Sequence, residues 1–338
     1  MEPTMLAGRL NVDSHHFEVR QVPVPLPGPG EVRVRVEAAG VCLSDVHLVQ
    51  GLLRPLLLHG DEVTLGHEVA GTVEMLGDHV ITPALGTRVV VLAGREIDGV
   101  VHTMGVDYDG GWAEYVVVPA PLLVTIPDTL SFDEAAIVPD AVSTPWAAIT
   151  TTAAVRPGQA VGVWGVGELG VHAVQLLRFV GAAPIIAIDP VPQARERALA
   201  LGADAALDPG ADDFAAQVQK ITGGRGLAFA FDFAGVDAVR QQAITSLGAG
   251  GVLILVGLSG TPITIAGSSA FSYRQQQIRG HYGSSPHHII DLVRLVALGR
   301  LNFSRSISAT IPLADAADAI GRLERKEGNP IRLVLRPS

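Results

Sequence analysis

The stretch AVGVWGVGELGVHAVQLL, residues 160–177, decides the fold. It opens as a short apolar run of strand type and closes with helical periodicity. Between the two lies a G-x-G-x-x-G made by Gly165, Gly167 and Gly170. That pattern alone says little in a chain with 38 glycines. The order strand, turn, helix gives it meaning. The first glycine permits the tight turn, the second lets backbone approach a pyrophosphate, and the third lets helix and strand pack closely. The helix N-terminus then presents N–H groups to the phosphates. The next apolar run, PIIAID, ends in Asp189. A carboxylate about twenty residues past the turn accepts both ribose hydroxyls and repels a 2′-phosphate, so NAD is expected rather than NADP. A glycine turn of an α/β fold that binds nothing is the plainer alternative.

Beyond this stretch, apolar runs alternate with helical segments. The strand-like runs are AVGVWG, PIIAID, FAFDFA and GVLILVG; between them lie GVHAVQLLRFVGA, PQARERALALGA and DDFAAQVQKITG. This alternation predicts a doubly wound parallel sheet over residues 143–282. Residues 1–142 read differently. EVRVRVEAAG alternates polar and apolar residues, HEVAGTVEML and GTRVVVLA look similar, and Pro and Gly punctuate the rest. A mainly β domain, antiparallel or mixed, is expected there. The tail, 283–338, has two amphipathic helical segments, HHIIDLVRLVALG and LADAADAIGRLER, and a strand-like IRLVLR. It breaks the parallel alternation and is expected to return to the first domain.

Bulk properties agree with two domains in 338 residues. Hydrophobic residues make up 48% but aromatics only 5%, as suits parallel strands buried on both faces. The net charge of −10 and the absence of a Lys/Arg run argue against a nucleic-acid partner. One cysteine rules out an intramolecular disulfide. No secretory signal and no apolar run of membrane-spanning length is visible. A cytoplasmic protein with no membrane partner is the expectation.

The single cysteine stands in AAGVCLSDVHLVQG, residues 38–51, followed by Ser44, Asp45 and His47. A lone cysteine is usually a small buried hydrophobe. Cys42 and His67, in TLGHEVAG, are nevertheless the best zinc ligands the chain offers. A catalytic zinc needs three protein ligands and an open position, and spacing alone names no third.

The chain resembles the zinc-dependent medium-chain alcohol dehydrogenases along nearly its whole length. The matching pieces, in family order, are GVCLSDVH, LGHEVAGTV, GTRVVV, GGWAEYVVVP, STPWAAI, the glycine turn, ALGAD, GVLILVG and PIRLVL. The resemblance implies a GroES-like catalytic domain and a Rossmann domain, with one catalytic zinc and NAD as cofactors. Zinc ligands would be Cys42 and His67. The third family ligand, commonly a cysteine and sometimes a carboxylate, falls on Asp140 in IVPDAVSTPW. Thiolate plus carboxylate balances Zn²⁺ as two thiolates would, and carboxylate oxygen is a known zinc donor. Glu68 is a candidate transient ligand, with a carboxylate satisfied by an arginine as the plainer reading. Asp45 would orient His67 through its other ring nitrogen.

Further roles follow from the same likeness. Ser44 and His47 would pass the substrate proton to solvent. Thr144, Leu169, Val256, Gly257 and Leu258 would meet the nicotinamide end, and Arg332 would clamp the pyrophosphate. Another phosphate-binding arginine of the family is Leu43 here, so one phosphate contact is missing. Leu52, Leu92, Trp112 and Trp146 are candidate walls for an apolar alcohol. The four-cysteine structural zinc lobe of many relatives is replaced by LAGREIDGVVHTMGVDYD, which has no cysteine; no structural zinc is expected. A homodimer or homotetramer acting on a small alcohol, aldehyde or ketone is implied. Two alternatives stay open: a zinc-free enone or quinone reductase of the same fold, and a redox-inactive NAD(H)-binding protein.

Overall fold

The computed structural model describes residues 3–337. The chain divides into two compact units, one running to Ala141 and resuming at Ser285, the other Val142–Ser284.

The larger sheet of the first unit is organised by the strand Glu31–Val41. Its apolar positions Val32, Val34 and Val36 are buried, as its alternation predicts. Val69–Leu76, Tyr115–Pro119 and Arg332–Arg336 all pair with it antiparallel. Antiparallel neighbours bring their N-terminal ends to its C-terminal end. Ala39 stands opposite Val69 and Val41 opposite Leu333. Cys42 and His67–Glu68, just outside these strands, and Arg332, the first residue of its own, therefore meet at one sheet end, although Glu68 and Arg332 lie 264 positions apart. Arg88–Val91 and Leu123–Thr125 extend the sheet on one side and Ile307–Pro312 on the other. Its core includes Leu10, Val34, Val63, Leu65, Trp112, Leu333 and Leu335; each such buried aliphatic side chain contributes about 1.5–3 kcal/mol.

The second unit is a six-stranded parallel sheet. Across it run Ala205–Leu207, Ile185–Ile188, Val161–Trp164, Leu227–Asp232, Leu247–Leu255 and Gln277–Gly280. The four inner strands are those the alternation predicted. The two edge strands are short and mixed in character, and the apolar pattern misses them. Val161–Trp164 and Ile185–Ile188 are buried at every position, so continuous apolar runs replace alternation. The order reverses between Val161–Trp164 and Leu227–Asp232, the switch point where nucleotide sites form at the carboxyl ends of strands.

Where the family's cysteine lobe would stand, Gly94–Ile97 and Val100–Thr103 form a two-stranded hairpin. Arg95 lies over the Tyr108 ring at 4.3 Å. No helix among the described residues is long and apolar enough to cross a membrane.

Candidate functional site

Cys42 precedes the helix Leu43–Val49 as its N-cap. Its amide donates to Asp45 Oδ2 at 2.8 Å, so the helix start fixes the cysteine. His67 follows Gly66, whose φ of +95° turns the chain where a side chain would collide with Trp112. Asp140 stands in a π-helical turn, Val138–Val142. Such turns recur at functional positions because the extra residue re-aims a side chain.

These three residues converge. One donor atom from each, sulfur, imidazole nitrogen and carboxylate oxygen, lies within 4.8 Å of the other two. Asp140 Oδ2 is 3.6 Å from Cys42 Sγ and 3.5 Å from His67 Nε2. No other such cluster stands among the described residues. Cys42 and His67 are both 6% exposed.

The donor set fits zinc. All three atom types are zinc ligands, and three protein donors leave a fourth position open. The second ring nitrogen of His67 supports the fit. His67 Nδ1 and Asp45 Oδ1 are buried with no other hydrogen-bond partner, and they face each other at 3.4 Å. A carboxylate there holds the ring with Nε2 toward the other donors. The field points the same way. Burial alone would lower the His67 pKa, but Asp45 and bonds to Asp140 and Cys42 raise it well above the usual value. This pocket attracts positive charge. Burial raises Cys42, with Arg332 opposing; a bound cation would favour the thiolate.

Ser44 and His47 sit one turn apart on the helix Leu43–Val49, both half-buried. Ser44 Oγ is 3.4 Å from His67 Nε2. Burial lowers the His47 pKa.

Arg332, expected at the pyrophosphate, is seen here against Glu68. It is fully buried. Its Nε donates to Glu68 Oε2 at 2.9 Å and its Nη2 to Glu68 Oε1 at 2.5 Å. The strand register explains this: Leu333 pairs with Val41, which turns Arg332 under the cluster rather than outward. Glu68 is likewise buried, and its Oε1 also accepts the Ala141 amide at 2.8 Å. The arginine-satisfied carboxylate is thus the arrangement present.

Trp112, a candidate cleft wall, is corrected by its burial. It is a core residue, fully buried against Phe17, with Nε1 donating to the Gly40 carbonyl at 3.0 Å. Leu92 is buried too, whereas Leu52 is exposed. In the other unit Trp146 packs against Phe179.

At the glycine turn, Gly165 has a φ of +79°. Gly170 opens the helix Gly170–Val180, and a Cβ on it would lie 1.9 Å from the Gly165 carbonyl. A Cβ on Gly167 would meet nothing within 4 Å, so that face is open. Leu169 is the N-cap of this helix and half-buried. Asp189, at the end of its strand, accepts the Val166 amide at 3.0 Å and the Val191 amide at 2.8 Å. Its carboxylate is therefore oriented beside the turn, with lone pairs remaining.

The loop after Leu247–Leu255 is tied down internally. Val256 and Gly257 both donate to the Asp232 carbonyl, and the Gly257 carbonyl accepts from Arg240 at 3.1 Å. Leu258 is exposed. Thr144 is buried, its carbonyl 3.0 Å from His281 Nε2. Arg240 Nε also donates to Asp232 Oδ2 at 2.9 Å, a buried pair that nothing in the sequence marks.

A β unit with this donor set, in one chain with a doubly wound nucleotide-binding unit, is the composition of a zinc-type medium-chain dehydrogenase. Comparison with known proteins agrees. Residues 28–128 match the alcohol dehydrogenase GroES-like domain, and residues 169–297 match the zinc-binding dehydrogenase domain. The NDMA-dependent alcohol dehydrogenase of Amycolatopsis methanolica is 30% identical over 359 residues, covering 94% of this chain and 95% of that one. The NAD-dependent alcohol dehydrogenase of Sulfurisphaera tokodaii is 29% identical, covering 95% and 96%. The crystal structure of 2R,3R-butanediol dehydrogenase from Bacillus subtilis superposes with a TM-score of 0.90 at 27% identity, covering 99% and 100%. The chain belongs to the zinc-binding alcohol dehydrogenase family.

Proposed function

We propose that the chain is an NAD-linked alcohol dehydrogenase, or carbonyl reductase in reverse, with one catalytic zinc held by Cys42, His67 and Asp140. The convergence of those donors within 4.8 Å carries the reading. Zinc supplies a Lewis acid that polarises an alcohol or carbonyl oxygen, and NAD supplies the hydride acceptor.

The chain's own residues do the rest. Asp45 holds His67 in one ring orientation. Ser44 Oγ would accept the hydroxyl proton while giving up its own to the nicotinamide ribose, and His47, neutral because burial disfavours its charged form, would carry a proton from there to solvent. The open Gly167 face and the N–H groups at the start of Gly170–Val180 receive the pyrophosphate. Asp189 receives the ribose hydroxyls and disfavours a 2′-phosphate. Thr144, Leu169 and the 256–258 loop position the nicotinamide end. With Val256 N, Gly257 N and the Gly257 carbonyl engaged internally, Leu258 offers that loop's backbone contact. A small alcohol or carbonyl compound is the substrate class, the cytoplasm the location, and a dimer or tetramer the assembly.

The test is zinc per chain by elemental analysis, on wild type and Asp140→Ala, with NAD- and NADP-linked oxidation of a panel of alcohols. About one zinc in wild type, clearly less in the variant, and faster turnover with NAD are expected. No zinc in wild type after metal loading would leave a zinc-free reductase or an inactive binder.

A further inference from the structure

Glu68 follows a ligand directly, yet it is not free to move. Three donors fix its carboxylate: Arg332 Nε at 2.9 Å, Arg332 Nη2 at 2.5 Å and the Ala141 amide at 2.8 Å. It lies in a seat that only glycine at position 40 allows. A Cβ there would be 1.9 Å from Glu68 Oε2. The Gly40 amide also donates to the Glu68 carbonyl at 2.8 Å. Swinging the carboxylate toward Cys42 and His67 would break three hydrogen bonds at a buried site and leave their donors unmet.

What these bonds hold is informative. Ala141 is the residue after Asp140. Arg332 Nη2 lies 3.6 Å from Asp140 Oδ2, the oxygen that faces Cys42 and His67. Glu68 and Arg332 therefore grip Asp140 from two sides, through the next backbone amide and through its own carboxylate. The charges close as well. The Cys42 thiolate and Asp140 carboxylate match a divalent cation, and Glu68 matches Arg332. Removing either member of that pair leaves a charge beside the ligands with nothing to balance it.

We infer that the Glu68–Arg332 pair positions Asp140 as the third metal ligand. It is a static strut rather than a reserve ligand. This rests on the proposed metal site at Cys42, His67 and Asp140. Both members are positioning residues, since neither is assigned a bond to metal, cofactor or substrate.

The experiment uses the full chain and reads metal binding directly. Zinc affinity is measured by competition with a chromophoric chelator, and the visible spectrum of the Co²⁺-loaded protein reports the ligand set. NADH affinity is followed by fluorescence. Glu68→Gln and Arg332→Gln are compared with wild type, alone and combined with Asp140→Cys. Expected in each single variant is a loss of zinc affinity of about 10–100-fold, the usual effect of displacing a ligand's supporting partner, with a changed Co²⁺ spectrum and unchanged NADH affinity. With cysteine at 140 the loss should shrink severalfold, because the carboxylate that Arg332 braces is gone.

Where the single variants do not fold, Glu68→Gln with Arg332→Met removes both charges together, and the same losses are expected. Unchanged zinc affinity and Co²⁺ spectrum in the variants, beside a wild type that binds one zinc, would overturn the strut while leaving the metal site. Weaker NADH binding with an unaltered spectrum would support the phosphate clamp and overturn the strut too. A wild type that binds neither metal would overturn both readings.

Discussion

At His47 the chemistry turns on which proton form the ring holds at neutral pH. Burial pushes its pKa below the ordinary 6.5. The neutral ring, the form able to accept a proton, therefore persists at pH values where a free histidine is half charged. Alcohol oxidation should lose its His47-dependent rate only as pH falls below about 6.5. His47→Gln should lower kcat at pH 7 by about tenfold or more and remove that acid limb. A variant with an unchanged kcat–pH profile would take His47 out of the proton path. Cys42 and His67 were legible as candidate zinc ligands because residue type and local motif point to zinc chemistry, and Asp140 because the family's third ligand falls on it. The Arg332–Glu68 pair was not legible. Within IRLVL nothing announces a buried ion pair, and its partner lies 264 positions away.

Among the elements, the glycine turn separates packing from binding. Gly170 and Gly167 are both invited to carry a methyl group by the substitution to alanine, with opposite consequences. At Gly170 the new Cβ would stand 1.9 Å from the Gly165 carbonyl. Strand and helix must move apart, at a cost of about 1–3 kcal/mol. At Gly167 the Cβ meets no protein atom, so Gly167→Ala should leave stability within about 0.5 kcal/mol of wild type. It should still weaken NAD binding at least tenfold, because the methyl occupies the approach of the pyrophosphate. Denaturant unfolding and NAD titration of the two variants check the pair; a Gly167→Ala protein that binds NAD normally would move the phosphates elsewhere. The inner strands of this sheet were readable because burial on both faces makes them unbroken apolar runs. The helix Asp237–Ser246 was not, since DAVRQQAITS has too few apolar residues to show a period.

At the scale of the whole molecule, the proposed metal would act as a cross-link confined to one unit. Its three ligands come from residues 42, 67 and 140, and both units keep their own cores. A ligand that binds only the folded state at 100 times its Kd stabilises by about 2.7 kcal/mol. That free energy should appear where the ligands are tied together. Removing zinc with a chelator should therefore speed amide hydrogen exchange around residues 42–49, 64–69 and 138–142. In that region the Cys42 amide is held by Asp45 and the Ala141 amide by Glu68. Exchange in Val161–Trp164 and Ile185–Ile188 should not change, because the parallel sheet closes on its own hydrogen bonds and apolar core. Returning zinc should restore protection at the same amides. An increase spread evenly over both sheets would mean that chelation destabilises the chain globally, and would count against a metal held by Cys42, His67 and Asp140.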